Sequence, residues 1–282
     1  MENKLIIKDG NINFKGYDVS SNTLTIKDVT NENYYITFDN YIPLNMKIVI
    51  INSKVSIIEN YIGNIKECNF EIEIDENSTL NRFSILVDNK NLKITRNINN
   101  KGVYESMQID LNEYNTDSIE NVNLVNKEAL SNVIDGIYAV NKAQKKYQTN
   151  LNHYESNCNS KAQIFAINND FAHVTINTDA YIKNGATRSV SNQEGRIINL
   201  SSTCSGIVLP NLHIDENDVE ASHSCSVGSL NQDHMYYLQS RGLDVLQSRN
   251  ILIKGYFNPI LENIKDDEIL KEIDKVLKQR IG

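Results

Sequence analysis

Near the C-terminal end, Ser222, His223, Ser224 and Cys225 place an imidazole two positions from a thiol. A neutral imidazole and a thiolate are ligands for zinc or for an iron–sulfur cluster, and the same pair can serve as base and nucleophile. On a strand, positions i and i+2 project from one face, so His223 and Cys225 could act together. Two ligands do not complete a site. With no second histidine–cysteine cluster nearby in sequence, completion would need residues from other parts of the fold or from another chain. Taken alone, His223 reads as a structural histidine.

The remaining candidates carry less chemistry. His153, His173, His213 and His234 are isolated, which suits surface or hydrogen-bonded core positions. Cys68, Cys158 and Cys204 are far apart and form no Cys-x-x-Cys pair, so they read as small apolar core residues, not a zinc ribbon or a disulfide framework. Arg188 and Arg196 flank Gln193-Glu194-Gly195, a solvated loop by composition. There is no P-loop, dinucleotide glycine fingerprint or Gly-x-Ser-x-Gly elbow. A net charge of -8 argues against nucleic acid or an anionic membrane as partner. No apolar run approaches the ~20 residues that span a bilayer. The opening MENKLIIKDG lacks the basic-then-apolar order of a secretory signal, so the expected location is the cytoplasm.

The elements that must position His223 come before it. From Lys4 to Ile214 short β-favouring runs follow one another, among them KLII at 4–7, TLTI at 23–26, YYITF at 34–38, MKIVII at 46–51, FEIEI at 70–74, FSILV at 83–87 and MQIDL at 107–111. Several alternate apolar and polar residues, as strands with one buried face do. Asn and Asp, which tolerate left-handed backbone, fill the turns. Sandwich, barrel and β-solenoid all fit such a series. Asp9-Gly10, Asp135-Gly136 and Asn184-Gly185 are the Asn-Gly or Asp-Gly dipeptides, too few for so many hairpins, and this tilts the reading toward a solenoid. No repeat of fixed length is visible. Between Asp117 and Ser160 the pattern loosens: NKEALSNVIDGIYAV could begin as a short helix capped at Asn126 or be an irregular coil of the solenoid, and its default reading is a surface excursion.

After Gly228 the period becomes helical, so Leu209 to Phe257 is a junction between strands and helices. Asn231 can cap a helix with Leu230, His234, Tyr237 and Leu238 on one face, ended by Gly242. Asp244 opens a second helix carrying Val245, Leu252 and Ile253, and Asn258-Pro259 looks like the start of another. A last helix from Asp266 carries an apolar stripe of Ile269, Leu270, Ile273, Val276, Leu277 and Ile281, which needs a surface on its own domain or on a partner.

The C-terminal half resembles the SufB/SufD family of iron–sulfur cluster assembly proteins. The resemblance is carried by Pro210-Asn211-Leu212-His213-Ile214, Asp218-Val219, Ser222-His223, Val227-Gly228, Leu230, Tyr237-Leu238 and Ser240-Arg241-Gly242. It extends more loosely to Asn152-His153 and to Ile197-Ile198-Asn199-Leu200-Ser201, covering about Thr149 to Phe257. It implies a mainly β fold, a right-handed parallel β-helix over residues 1–228, followed by a small C-terminal helical domain over 229–282. It further implies a scaffold subunit without catalysis of its own. Such a subunit docks a SufC-like ABC ATPase through its helices, with Tyr237, Leu238, Arg241, Gly242, Gly255 and Phe257 as candidate contacts. It also pairs through its β-helix with a SufB-like subunit or with itself, and a transient iron–sulfur cluster can form at that pairing.

On this resemblance His223 occupies the histidine that the SufD branch places near the subunit interface, and is a candidate cluster ligand there. Cys225 stands where the family has alanine and is the weaker candidate. His213 replaces a family glutamate. The SufB branch has glutamate after the histidine and a cluster-associated cysteine some coils earlier, whereas this chain has Ser224 and, by ungapped count, Gly195. The SufD branch therefore fits better. The chain opens directly in strand-like sequence, where longer members carry an N-terminal helical region. The rival readings are a β-solenoid enzyme of the polysaccharide lyase or acyltransferase type, whose ligand clusters or hexapeptide repeats are not apparent, and a free-standing β-helix binding protein.

Overall fold

The structure of the chain, a computed structural model, describes residues 3–8, 16–18, 20–39, 44–62, 65–87 and 89–262, and positions 270, 271, 275 and 278 beyond them. The early strands are β1 (Asn3–Lys8), β2 (Tyr17–Asp18), β3 (Thr23–Lys27), β4 (Thr30–Asp39), β5 (Leu44–Ile51), β6 (Lys54–Ile62), β7 (Glu67–Ile74), β8 (Thr79–Leu86) and β9 (Leu92–Asn100). The later ones are β10 (Val103–Asp110), β11 (Thr116–Leu124), β12 (Leu130–Ala139), β13 (Gln144–His153), β14 (Asn159–Asn168), β15 (His173–Ile182), β16 (Ser189–Asn199), β17 (Ser205–Ile214) and β18 (Val219–Ser229). Helices α1 (Gln232–Ser240) and α2 (Val245–Leu261) follow.

The strands alternate between two sheets, ordered β1-β4-β6-β8-β10-β12-β14-β16-β18 and β17-β15-β13-β11-β9-β7-β5-β3-β2. Every pairing is parallel except the short β2–β3 contact. This is a parallel β-solenoid of about seven turns, as the scarcity of hairpin dipeptides suggested. Alternate residues point inward and stack on their counterparts one coil away, as in the buried set Leu92, Ile94, Arg96 and Ile98 of β9. Asn52, Asn91, Asn141, Asn157 and Asp170 turn corners with φ between 45° and 60°, the role foreseen for Asn and Asp. Outside, aligned amides bond coil to coil: Asn97 donates to Glu71 (2.7 Å), Asn121 to Asn97 (2.7 Å) and Asn150 to Asn121 (2.6 Å).

The coil length drifts. Asn121 and Asn97 are 24 residues apart, Asn150 and Asn121 are 29, and His173 and Ser205 are 32. Corner insertions take up the difference while the strands stay in register, so no fixed period survives in the sequence.

Residues 117–160 are not a surface excursion. They contribute most of β11, together with β12 and β13, which lie well inside the stack. The alternation fades in β12 because both faces are covered: Val133 and Ile137 point into the solenoid, while Ile134 and Tyr138 lie under α2. Gln193-Glu194-Gly195 is likewise strand β16, not a solvated loop.

Asn231 caps α1, its side chain accepting from the backbone N–H groups of Asp233 (2.8 Å) and His234 (3.2 Å). Gly242 follows with φ +94°, a conformation that favours glycine at a helix end. Asp244 and Gln247 form a capping box for α2. The residue that buries α1 is Met235; His234 and Tyr237 of the expected face are exposed. Asn258-Pro259 does not begin a new helix. Instead α2 runs through it to Leu261, with Gly255 O receiving no bond from residue 259 because proline has no N–H. Of the expected last stripe, Ile269, Ile273, Val276, Leu277 and Ile281 lie outside the described residues, and Leu270 packs against the apolar cluster beneath α2.

Within the solenoid lies a buried charged cluster. Arg82 reaches Glu59 (3.2 Å) and Glu120 (3.1 Å), Arg96 reaches Glu59 (2.9 Å), and Lys145 binds Asp110 (2.9 Å). Tyr61, Tyr104 and Tyr147 donate to Glu59, Glu120 and Asp110. Burial alone would raise the Glu59 carboxyl, but Arg96 and Arg82 hold it below its usual value. Among the described residues three cations thus face three carboxylates, and Asp135 is left over. Its Oδ1 has no hydrogen-bond partner. Burial, reinforced by Glu120, pushes its carboxyl up to about 8 against the pull of Arg82 and Arg96.

An unfolded aspartate titrates near ~3.9, so between about pH 4 and pH 8 the folded chain retains a proton that the unfolded chain has lost. This group's contribution to stability therefore falls as pH rises through that window, by up to about 1.4 kcal/mol per pH unit, and levels off above it. Asp135→Asn removes the slope. Thermal melts of both proteins from pH 5 to pH 9 should show the variant gaining on the wild type as pH rises to about 8. A pH-independent difference would rule out this assignment.

Candidate functional site

Among the described residues no coil follows the last one. β17 and β18 are the edge strands of the two sheets, and they bring His223 and Cys225 to an open end. The register pairs His223 with Gln193 and Cys225 with Gly195. Gln193 belongs to the inward-facing set of β16 and is 3% exposed, so His223 and Cys225 share the inward phase yet stand uncovered. The i, i+2 geometry is realised, with both groups on the floor of the open end.

Gln193 forms the layer beneath. Its Oε1 accepts from the Thr178 hydroxyl (3.0 Å) and its Nε2 donates to the Asn211 carbonyl (3.2 Å), so the amide cannot flip freely. At Gly195 an added Cβ would lie 2.4 Å from Val208 Cγ1, so a cysteine does not fit there unless Val208 moves. Apolar residues are exposed on the last coil, Ile214 and Val227 in the inward phase and Ile207 and Leu209 on the outward face of β17, each more than 40% exposed. Exposed apolar side chains beside two unpaired strand edges are features that association surfaces share.

Among the described residues no group of three or more His, Cys, Asp or Glu converges as a metal site. The other histidines take ordinary roles. His153 lies inside, 2.7 Å from the Ser160 hydroxyl, and burial pushes its imidazole down to about 4. His173 bonds Ser205 (2.7 Å), while His213 stacks on Tyr181 (4.3 Å) and approaches Asp179 (3.3 Å). Cys68, Cys158 and Cys204 are buried, and burial raises the Cys68 thiol to about 12.

The helices present a second surface. Tyr236 (76%), Tyr237, Val245 (63%), Leu246 and Ile251 are exposed. Arg241 lies over the Tyr237 ring at 5.3 Å, Leu238 is half-buried and Gly255 is open to solvent. Phe257 differs from these candidate contacts. It is 2% exposed and packs with Ile253 and Ile260 against the outer wall of the solenoid, so it anchors α2 and does not face a partner. Reading single motifs missed Gln193, Tyr236, Leu246 and Ile251. Gln193 was detectable as a polar residue in the inward phase of its strand; the other three were detectable as apolar residues off the buried helical face. No helix among the described residues is long and apolar enough to cross a membrane.

The family model for the SUF system FeS cluster assembly, SufBD core domain, matches residues 42–256. The chain is 25% identical over 242 residues to the iron-sulfur cluster assembly protein SufD of Bacillus subtilis, covering 82% of this chain and 55% of that protein. It is 24% identical over 243 residues to the protein of the same name from Plasmodium berghei, covering 84% of this chain and 18% of that one. A SufBD family protein of Mycobacterium bovis is 25% identical over 111 residues, 39% of this chain and 28% of that protein. The chain thus spans about half the length of its Bacillus relative and less of the other two. The matched segment takes in the stacked coils from β5 onward, the open end with His223 and most of the two helices. With both surfaces inside that segment, the chain belongs to the SufB/SufD family of iron–sulfur cluster assembly proteins and is SufD-like.

Proposed function

We propose that the chain is a non-catalytic scaffold subunit of a Suf-type assembly complex. It pairs through its open end with a SufB-like subunit or a second copy, and binds a SufC-like ATPase through α1 and the first turns of α2. The observation that carries this reading is the open end itself, two unpaired strand edges with His223, Cys225 and apolar side chains left uncovered. Covering that end removes apolar surface from water, worth about 25 cal/mol per Å², and gives the edge N–H and C=O groups partners. The cluster is cargo. His223 can supply one imidazole to it and Cys225 one thiolate; the remaining ligands come from the subunit opposite. ATP hydrolysis belongs to the SufC-like partner.

The two surfaces predict separable defects. Val227→Asp places a charge at the open end and should abolish pairing in light scattering, while ATPase capture by affinity purification is retained. Tyr237→Asp combined with Leu246→Asp should lower ATPase affinity at least about tenfold, the scale expected when interface anchors are removed, while pairing is retained. Capture of the ATPase unaffected by the double variant would reject the helical dock. Anaerobic reconstitution with iron and sulfide, in the presence of a SufB-like subunit, should yield less visible absorption with His223→Ala than with the wild type, at equal pairing. Equal absorption would remove His223 from the ligand set.

A further inference from the structure

The chain holds one Asn-Gly dipeptide, Asn184-Gly185, and it forms no hairpin. It lies in the corner of residues 183–188 that carries the chain from β15 to β16. There the Ala186 N–H donates to the Lys183 carbonyl (3.0 Å), and Gly185 takes φ +92° inside the turn. Asn184 and Gly185 are both exposed, and no described residue makes a hydrogen bond to the Asn184 carboxamide. A Cβ added at Gly185 would meet nothing within 4 Å, so the space around its nitrogen is open. The next corner, residues 215–218, brings a carboxylate to this point. Glu216 Oε2 accepts from the Gly185 N–H (3.0 Å), while its Oε1 accepts from the Asn217 N–H (2.8 Å). These backbone donors, Gly185 first, hold the Glu216 carboxyl below its usual value, so it is ionised at neutral pH. The N–H bond lies in the peptide plane and points at Glu216, whereas the nitrogen's π electrons stand perpendicular to that plane. The side-chain carbonyl carbon of Asn184 can therefore approach from above while the proton leaves sideways.

We propose that Asn184 is a site of self-modification, with Glu216 as its base. The Gly185 nitrogen bonds to Asn184 Cγ, and its proton passes to the Glu216 carboxylate. That proton is handed on to Nδ2, the Cγ–Nδ2 bond breaks and ammonia leaves. Water then opens the succinimide ring at either carbonyl, giving an aspartyl or an isoaspartyl residue at position 184. The imide nitrogen carries no hydrogen, so Glu216 loses its contact with Gly185. The isoaspartyl product regains the N–H, but on a main chain one methylene longer and with a new carboxylate beside Glu216. The lost contact ties the corner that enters β16 to the corner that enters β18. Modification thus loosens the entry to the strand that carries His223, whether or not the open end pairs as described above.

The full chain, incubated at neutral pH and physiological temperature, is followed by peptide mapping in a mass spectrometer, with isoaspartate read by enzymatic methyl labelling. Conversion should appear at Asn184 before it appears at the exposed Asn217. Glu216→Gln keeps an oxygen to accept the Gly185 N–H but removes the base. It should slow conversion at least about tenfold, short of the ~10²–10⁴ of a well-matched general base because this carboxylate is a weak one. Asn184→Gln, whose longer side chain cannot close a five-membered ring on Gly185, should abolish conversion at the position. Absence of conversion at Asn184 in the wild type would overturn the site, and equal rates in the wild type and Glu216→Gln would overturn the base. The converted fraction carries an extra negative charge and can be isolated by ion exchange. In it the Arg188 amide, which donates to the Asp218 carbonyl between the same two corners, should exchange about fivefold faster or more, the worth of one lost hydrogen bond. Unchanged Arg188 exchange would overturn the loosening.

Discussion

Each coil buries its inward side chains only because the next coil lies over it in register, and almost everything else in the molecule follows from that stacking. A slip of one residue would turn every inward side chain outward. The register is held twice, by the amide ladder outside and by the Glu59–Arg82–Glu120 and Glu59–Arg96 contacts inside, which tie together the four strands β6, β8, β9 and β11. Buried ion pairs are weak sources of net stability, because desolvation offsets most of their attraction. Breaking one by a slipped coil would leave a bare charge in the interior, so the cluster acts against wrong registers more than for the right one.

The same rule explains the ends. Where a coil has a successor its inward residues are core; where it has none they become surface without any change in residue type. His223 and Cys225 differ from Gln193 and Gly195 beneath them chiefly in being uncovered. Placing reactive groups on the floor of an unfinished core requires no loop or lid, since the scaffold supplies their spacing, about 7 Å for i and i+2 along a strand. A second chain that covers the end also completes their surroundings, so formation of the site and formation of the complex are one event.

Much of this was legible in the sequence, and the failures have identifiable causes. Single-face alternation revealed β3, β4, β5 and β7, and the caps at Asn231 and Asp244 were readable from side-chain chemistry alone. The β12 region was misread because α2 covers its outer face, which makes both faces apolar and erases the alternation. The repeat was hidden by corner insertions that lengthen the coils from 24 to 32 residues. Pro259 suggested a helix start, but burial of Phe257 and Ile260 on either side of it carries the helix through. The charged interior was readable in principle: in LKITRNINN, Arg96 falls in phase with Leu92, Ile94 and Ile98. What no strand pattern contains is the identity of the last coil, because its residues look like any other inward set until the chain stops stacking.

That position in the stack also has a meaning in time. As the chain leaves the ribosome, each coil needs only its predecessor to bury its core, so the solenoid can grow in the order of synthesis. The growing edge is always the newest strand, and it is covered as soon as the next coil emerges. β17 and then β18 are the edges that no later strand among the described residues covers. Helix α2, which must reach back to β12 and β14, is completed soon after, a few seconds later at about 5–20 residues per second. The two surfaces thus mature almost together, and partners capable of holding the chain meet it as a nearly finished object instead of a nascent one.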